Sequence, residues 1–348
     1  YKSDTLMPHG TFIRFIWPSF LAMILFIAFP ILSVAVQSFF VSHEQVMREV
    51  ENCGPFTCET VLQVDVEAGA KLKETAPLGR FNAFGTYTNR GHLAFAELGA
   101  LWTDSKSVGD FLKRTYNLPL YKALYFTLAY TAVVTPFVII LGLLIALGVN
   151  RLPKITKGPT IFVSLLPMIV TPLIGSLILF WMVDSSGIIG ASLQLIFDDP
   201  DLSLKASLPL TWLMLFIYGI WHSAPFAFVV FYAGLQTVPS ETIEAAKIDG
   251  ASRWQQVRFV VLPYMMPLVV FITLMQLMDN FRVFEPIVGF SASAKASSLS
   301  WIIYSDLSGQ DKLFGSAAAT SMMTIVGVCI LLMPVLLHTW REFNRRSA

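Results

Sequence analysis

Six stretches of this chain run for 20 residues or more without an Asp, Glu, Lys or Arg: 15–43, 123–150, 158–183, 206–240, 259–278 and 313–340. A helix crossing the hydrocarbon core of a bilayer needs about 20 mainly apolar residues. One such run in a soluble protein is a buried helix; six in 348 residues are transmembrane helices. Composition agrees, since 14% of residues are charged against about 25% in a soluble domain. Barrel strands alternate over about ten residues, and these runs are too long and too evenly apolar for that. The expected fold is an all-α polytopic membrane protein with six transmembrane helices near 12–39, 121–149, 160–183, 209–236, 264–288 and 313–340. The fifth overruns its uncharged stretch to take in Asp279, Arg282 and Glu285. Prolines within the runs, among them Pro136, Pro167, Pro172 and Pro225, are tolerated where neighbours satisfy the freed carbonyls.

Lys and Arg in short loops set the orientation. One side carries Arg151, Lys154, Lys157, Lys247, Arg253, Arg258, Arg341, Arg345 and Arg346; the other carries Lys205, Lys295 and Lys312 beside six aspartates. Both termini are therefore expected in the cytoplasm. The first run is too long for a signal peptide and is read as a retained helix. The domain plan is an N-terminal segment and first helix (1–39), an external loop domain (40–119), a five-helix core (120–340) and a cytoplasmic tail (341–348). The external loop holds Cys53 and Cys58 in Cys-Gly-Pro-Phe-Thr-Cys. A disulfide is the expectation on an oxidising side; two free thiols or half of a metal site are the alternatives. No His or Cys pair nearby completes a metal tetrad, so no metal site is expected. Cys329, in the last run, is read as packing.

The internal loop 237–263 is the most informative part of the chain. Pro239 and Ser240 open a helix with Ser240 as N-cap, and the helix ends at Gly250, a residue suited to the position after a helix. A second helix, 251–261, ends at Leu262-Pro263 and leads into the fifth span. Ala245, Ala246 and Ala251 are small enough for another surface to approach closely, and Glu244 and Asp249 offer it charge. Spacing alone leaves an ordinary interfacial connector as an equal alternative.

Glu244-Ala245-Ala246-x-x-Asp249-Gly250-Ala251, followed after nine residues by Val260-x-Leu262-Pro263, resembles the EAA loop of permease subunits of binding-protein-dependent ABC importers. The resemblance spans roughly 120–340 and is greatest for the carbohydrate-uptake, maltose-permease-like class. Val257 stands where an aromatic residue is common and Phe259 where a basic one is. The glycine-rich turn usual after the fifth span is replaced by Ser291-Ala292-Ser293-Ala294. The resemblance implies a permease of the inner membrane with several partners. These are a second permease subunit, an ATPase dimer docked on the elbows and a periplasmic solute-binding protein. ATP and Mg would act in the ATPase subunits, with no cofactor in this chain.

Polar groups at membrane depth are candidates for a solute path. Gly219, His222, Ser223 and Phe226 share one helical face of the fourth span, and Gln276, Asp279 and Asn280 share one in the fifth. Aromatic faces with amide, hydroxyl and carboxylate groups suit a sugar. These faces resemble the lining of the maltose-type permease, and Asn280 matches an asparagine there by unbroken spacing from the EAA loop. Arg282 either meets an anionic group on the solute or pairs with Asp279 and Glu285 in an internal strip. An ion-coupled secondary transporter is the competing class, but it leaves the EAA elbow without a role. The chain has no HExxH, GxSxG or Walker loop and its five histidines are scattered, so it is not read as an enzyme. A balance of 24 basic to 23 acidic residues carries no nucleic-acid footprint.

Overall fold

The computed structural model describes residues 9–44, 46–53, 58–309 and 312–347. The chain divides into two units, one made of 1–104 with 303–323 and the other of 105–302 with 324–348.

The first unit begins with α1 (Phe12–Gln37), an apolar helix long enough to span, on which no described side chain is buried. Two strands follow, β1 (Phe40–Val41) and β2 (Met47–Cys53). β3 (Cys58–Val64) pairs antiparallel with β2, and β4 (Arg80–Phe81) pairs with β1. Cys53 lies opposite Cys58 in backbone register; their side chains fall outside the described residues. A helix over Val66–Thr75 starts at Asp65, whose carboxylate accepts from the Ala68 amide at 3.0 Å. His92 is buried in this unit, with Nδ1 2.8 Å from Asn89 Oδ1 and Nε2 3.1 Å from Thr320 Oγ1.

The second unit is a helical core. α2 (Pro119–Asn150) and α5 (Leu208–Leu235) are each long and apolar enough to cross a membrane, and they pack along their length. Val134, Val138, Leu215, Ala227, Phe228 and Phe231 are fully buried between them and their neighbours. Gly142 permits the close approach: a Cβ there would stand 2.6 Å from Ala227 Cβ and 2.9 Å from Phe228 N. Small residues serve this purpose in lipid, where no hydrophobic drive separates helix from tail.

Between α2 and α5 the expected straight span over 160–183 is broken. α3 (Lys154–Ile169) and α4 (Pro172–Met182) meet at 93°. The cause is local: Pro167 and Pro172 flank Val170 and Thr171, both extended, and the ladder of backbone bonds stops there. After α5 come α6 (Ser240–Ile248) and α7 (Arg253–Tyr264), the latter including one wide π turn over Val257–Val261. α7 meets α8 (Met266–Phe281) at 69°, beside Pro263 and Pro267, with Met265 buried at the corner. The fifth helix was expected to reach 288; α8 instead ends at Phe281, and α9 (Glu285–Gly289) is a separate turn. The last helix, α10 (Phe314–Ser347), runs on through the expected tail. Cys329 on α10 is exposed, which corrects its reading as packing. Among the described residues four helices qualify as spans by themselves, and counting each bent pair as one span brings the number to six.

Candidate functional site

The break between α3 and α4 frees backbone carbonyls within an apolar segment, where an unsatisfied carbonyl is costly. Two side chains of α5 bond at this break, one to the freed Val170 carbonyl and the other to the Pro172 carbonyl in the first turn of α4. His222 Nε2 lies 3.1 Å from Val170 O, and Tyr218 OH donates to Pro172 O at 2.8 Å. The two rings sit one turn apart with centroids 5.7 Å from each other. A residue expected to touch solute therefore also holds the broken backbone in place.

Beside this break is a cavity of about 560 Å³. Gly219, His222, Ser223 and Phe226 of α5 line it, and Gln276, Asp279 and Asn280 of α8 line it with Arg282 at the helix end. The structure thus brings the two sequence faces together around one space. Gly219 is buried and has no room for a side chain, because a Cβ there would run into the Tyr130 hydroxyl. Asn280 is 4% exposed and its Nδ2 donates to Thr135 Oγ1 of α2 at 3.1 Å and to Gln276 Oε1 at 3.3 Å. Its role is in part interhelical. Arg282 Nη2 donates to Asp279 Oδ1 at 2.9 Å, and both side chains are exposed to the cavity side. The strip does not extend to Glu285, because α8 ends before it. Tyr130, Tyr218 and Glu285 also line the cavity. Sequence reasoning did not place Tyr130 there, and the only signal for it was its helical spacing from the face of α2 that carries Thr127 and Val134.

A second cluster ties the loops around the start of α5. Lys205 Nζ pairs with Asp184 Oδ2 and lies 3.7 Å from the centre of the Phe180 ring. Lys295 Nζ donates to the carbonyls of Lys205 and Ala206, and Trp212 Nε1 donates to Lys295 O at 3.0 Å. The Lys205 ammonium, helped by Ser186, holds the Asp184 carboxyl down at about 2. A depressed carboxylate pKa means the pair contributes above the ordinary value near 3.8 and is lost as pH falls through about 2. The clasp is therefore closed across the physiological range. Lys205→Met should return Asp184 toward its ordinary range and speed amide exchange over 184–206; unchanged exchange at neutral pH would assign the loop's order to Lys295 alone.

The elbow projects its own surface. α6 ends in a Schellman motif: Gly250 N donates to Lys247 O at 3.0 Å and Ala251 N to Ala246 O at 2.9 Å, with Gly250 at φ +76°. Ser240 is the first helical residue and Pro239 the N-cap, one position from the expectation. α7 starts at a capping box in which Ser252 N donates to Gln255 Oε1 at 2.7 Å and Gln255 N to Ser252 Oγ. The Ser-x-x-Gln spacing at 252–255 carried that signal in the sequence. Tyr264 OH donates to Thr237 O at 2.8 Å and joins the two ends of the elbow. Glu244, Ala245, Asp249 and Gly250 are exposed, and Ala246 and Ala251 are half-buried. Ile248 is 87% exposed and Trp254 68%, an apolar tip between charged neighbours.

The family described as "Binding-protein-dependent transport system inner membrane component" matches residues 111–341. The chain belongs to this family. As a binding-protein-dependent permease it has several named relatives. The inner membrane ABC transporter permease YcjO of Escherichia coli is 29% identical over 250 residues, covering 68% of this chain and 79% of that protein. The trehalose transport system permease SugA of Mycobacterium tuberculosis is 31% identical over 209 residues, 59% of this chain and 66% of that one. A crystal structure of a bacterial ABC transporter that imports the acidic polysaccharide alginate shares the fold at TM-score 0.63 and 18% identity, over 95% of this chain and 98% of its own. The permease is thus a mainly helical, multi-pass inner-membrane subunit.

Proposed function

We propose that this permease moves a sugar or sugar derivative into the cell by alternating access, driven by ATP bound with Mg in a separate ATPase dimer. A second permease subunit completes the path, and a periplasmic solute-binding protein delivers the solute. Both termini lie in the cytoplasm, so that the elbow faces the ATPases. The observation that carries the reading is the family match over residues 111–341, and a polar–aromatic cavity within the helical core supports a solute path through it. The exposed elbow of α6 and α7, with Glu244 to Ala251 at its apex, supports the docking half of it. The trehalose permease SugA and the multiple-sugar permease MsmF of Streptococcus mutans among the relatives support a sugar as cargo.

Two substitutions separate transport from assembly. Ser223→Ala removes a hydroxyl facing the cavity and should lower sugar uptake several-fold with normal yield of the complex. Asn280→Ala leaves Thr135 Oγ1 and Gln276 Oε1 short of a donor, at a cost of about 1–3 kcal/mol, and should lower yield as well as uptake. Uptake by membrane vesicles and complex yield on size exclusion, measured together, test this. Normal uptake by both variants would overturn the placement of the path.

Cys53 and Cys58, opposite one another in the β2–β3 hairpin, are expected to form a disulfide on the periplasmic side. Its short loop puts the stabilisation at the low end of the usual range, about 2 kcal/mol. Mass spectrometry after alkylation without reductant checks it; alkylation at both positions in oxidised membranes would refute it.

A further inference from the structure

The charged lining of the cavity is unequal: Asp279 and Glu285 against Arg282. Arg282 is already committed, donating from Nη2 to Asp279 at 2.9 Å and from Nε to Met278 O at 3.2 Å. The Glu285 carboxylate forms no hydrogen bond or ion pair with the described residues, although its residue is exposed and lines the cavity. Its backbone is held, since Ser176 Oγ of α4 donates to Glu285 O at 3.3 Å, and Pro286 and Ile287 beyond it are buried. A fixed backbone thus presents an uncompensated carboxylate to a polar space walled by apolar helices, where low-dielectric walls focus the field.

We infer that Glu285 is the charge filter of this path: it admits uncharged and amine-bearing sugars and turns acidic sugars away. The inference rests on the cavity being the solute path. A carboxylate is purely an acceptor, so it serves sugar hydroxyls and ammonium groups alike. A uronate has only hydrogen-bond acceptors to offer at its acidic group, and the one guanidinium nearby is already paired. The solved neighbour that imports acidic alginate has the same fold, so the fold does not decide the charge of the cargo. That choice belongs to the lining.

The test uses the assembled transporter and needs neither the natural solute nor its binding protein. Ser223→Cys in a Cys329→Ser background places a thiol on the cavity wall. Its reaction rates are measured with a trimethylammonium and a sulfonate methanethiosulfonate reagent, and the parent without Ser223→Cys is subtracted. The cation-to-anion rate ratio should exceed that of a free thiol and fall about tenfold on Glu285→Gln. Glu285→Asp, which keeps the charge, should preserve it. A ratio indifferent to Glu285→Gln overturns the filter and leaves the path standing. A thiol at 223 that reacts with neither reagent overturns the path, and the filter with it.

Discussion

Gly142→Leu should leave almost no assembled permease in the membrane. A Cβ at 142 already lies 2.6 Å from Ala227 Cβ and 2.9 Å from the Phe228 amide nitrogen, and two of the three nearest atoms are backbone of α5, which no rotamer change can move. The helices must separate along a contact that buries Val138, Phe228 and Phe231. Overpacking of this kind costs about 1–3 kcal/mol where side chains can yield, and more where backbone is struck. Gly142→Ala should show a graded loss. Gly148→Leu is the control, on the same helix and equally apolar, where a Cβ meets nothing within 4 Å; its yield should match the native protein. Fluorescence-detected size exclusion and thermal unfolding read the series. Native yield from Gly142→Leu would mean that α2 and α5 do not pack at this register.

Much of this architecture was legible because the signals are local. The charge-free runs, trimmed for loops to 121–149 and 209–236, announce α2 and α5 to within two residues, since the bilayer sets their length. Glu244 to Gly250 announces the elbow, because a helix must stop where a glycine takes positive φ. The cavity was legible as two helical faces, each readable from i, i+3 and i+4 spacing. What was not legible depends on distant partners. Pro167 and Pro172 read as tolerated within a span; the 93° break they make is local in cause, but the Val170 carbonyl it frees is satisfied by His222, some fifty residues on. Asn280 reads as a solute contact and lines the cavity, but its bond to Thr135, 145 residues away, has no local signal. Asp279, Arg282 and Glu285 read, on a continuous helix, either as one strip or with Arg282 turned to an anionic group on the solute. The helix ends at Phe281, which pairs the first two and strands the third. For the strand pairing of the first unit the local signal is a strand-like run of Val61, Val64 and Val66, of which Val66 instead opens a helix, and the register is set by residues across the hairpin.

Gly250→Leu should fold and assemble its spans yet lose uptake. Nothing lies within 4 Å of a Cβ at 250, so the cost is backbone strain alone, from φ +76°. For an L residue that strain is about 1–2 kcal/mol, enough to deplete the bent elbow by a factor of about 5–30. The Schellman bonds from Gly250 and Ala251 would open, and Glu244, Ile248 and Trp254 would lose their common presentation. The spans, held by contacts elsewhere, would not sense the change. Gly250→Asn and Gly250→Ala are the discriminating pair: asparagine tolerates the left-handed region and should restore most uptake, whereas the smaller alanine should restore less, the reverse of what a bulk effect would give. Glu244→Lys should weaken ATPase co-purification without altering the bend. Uptake in vesicles, co-purification of the ATPase and permease yield separate these outcomes. Full uptake by Gly250→Leu would remove the elbow from the coupling path and return it to the role of a connector between two spans.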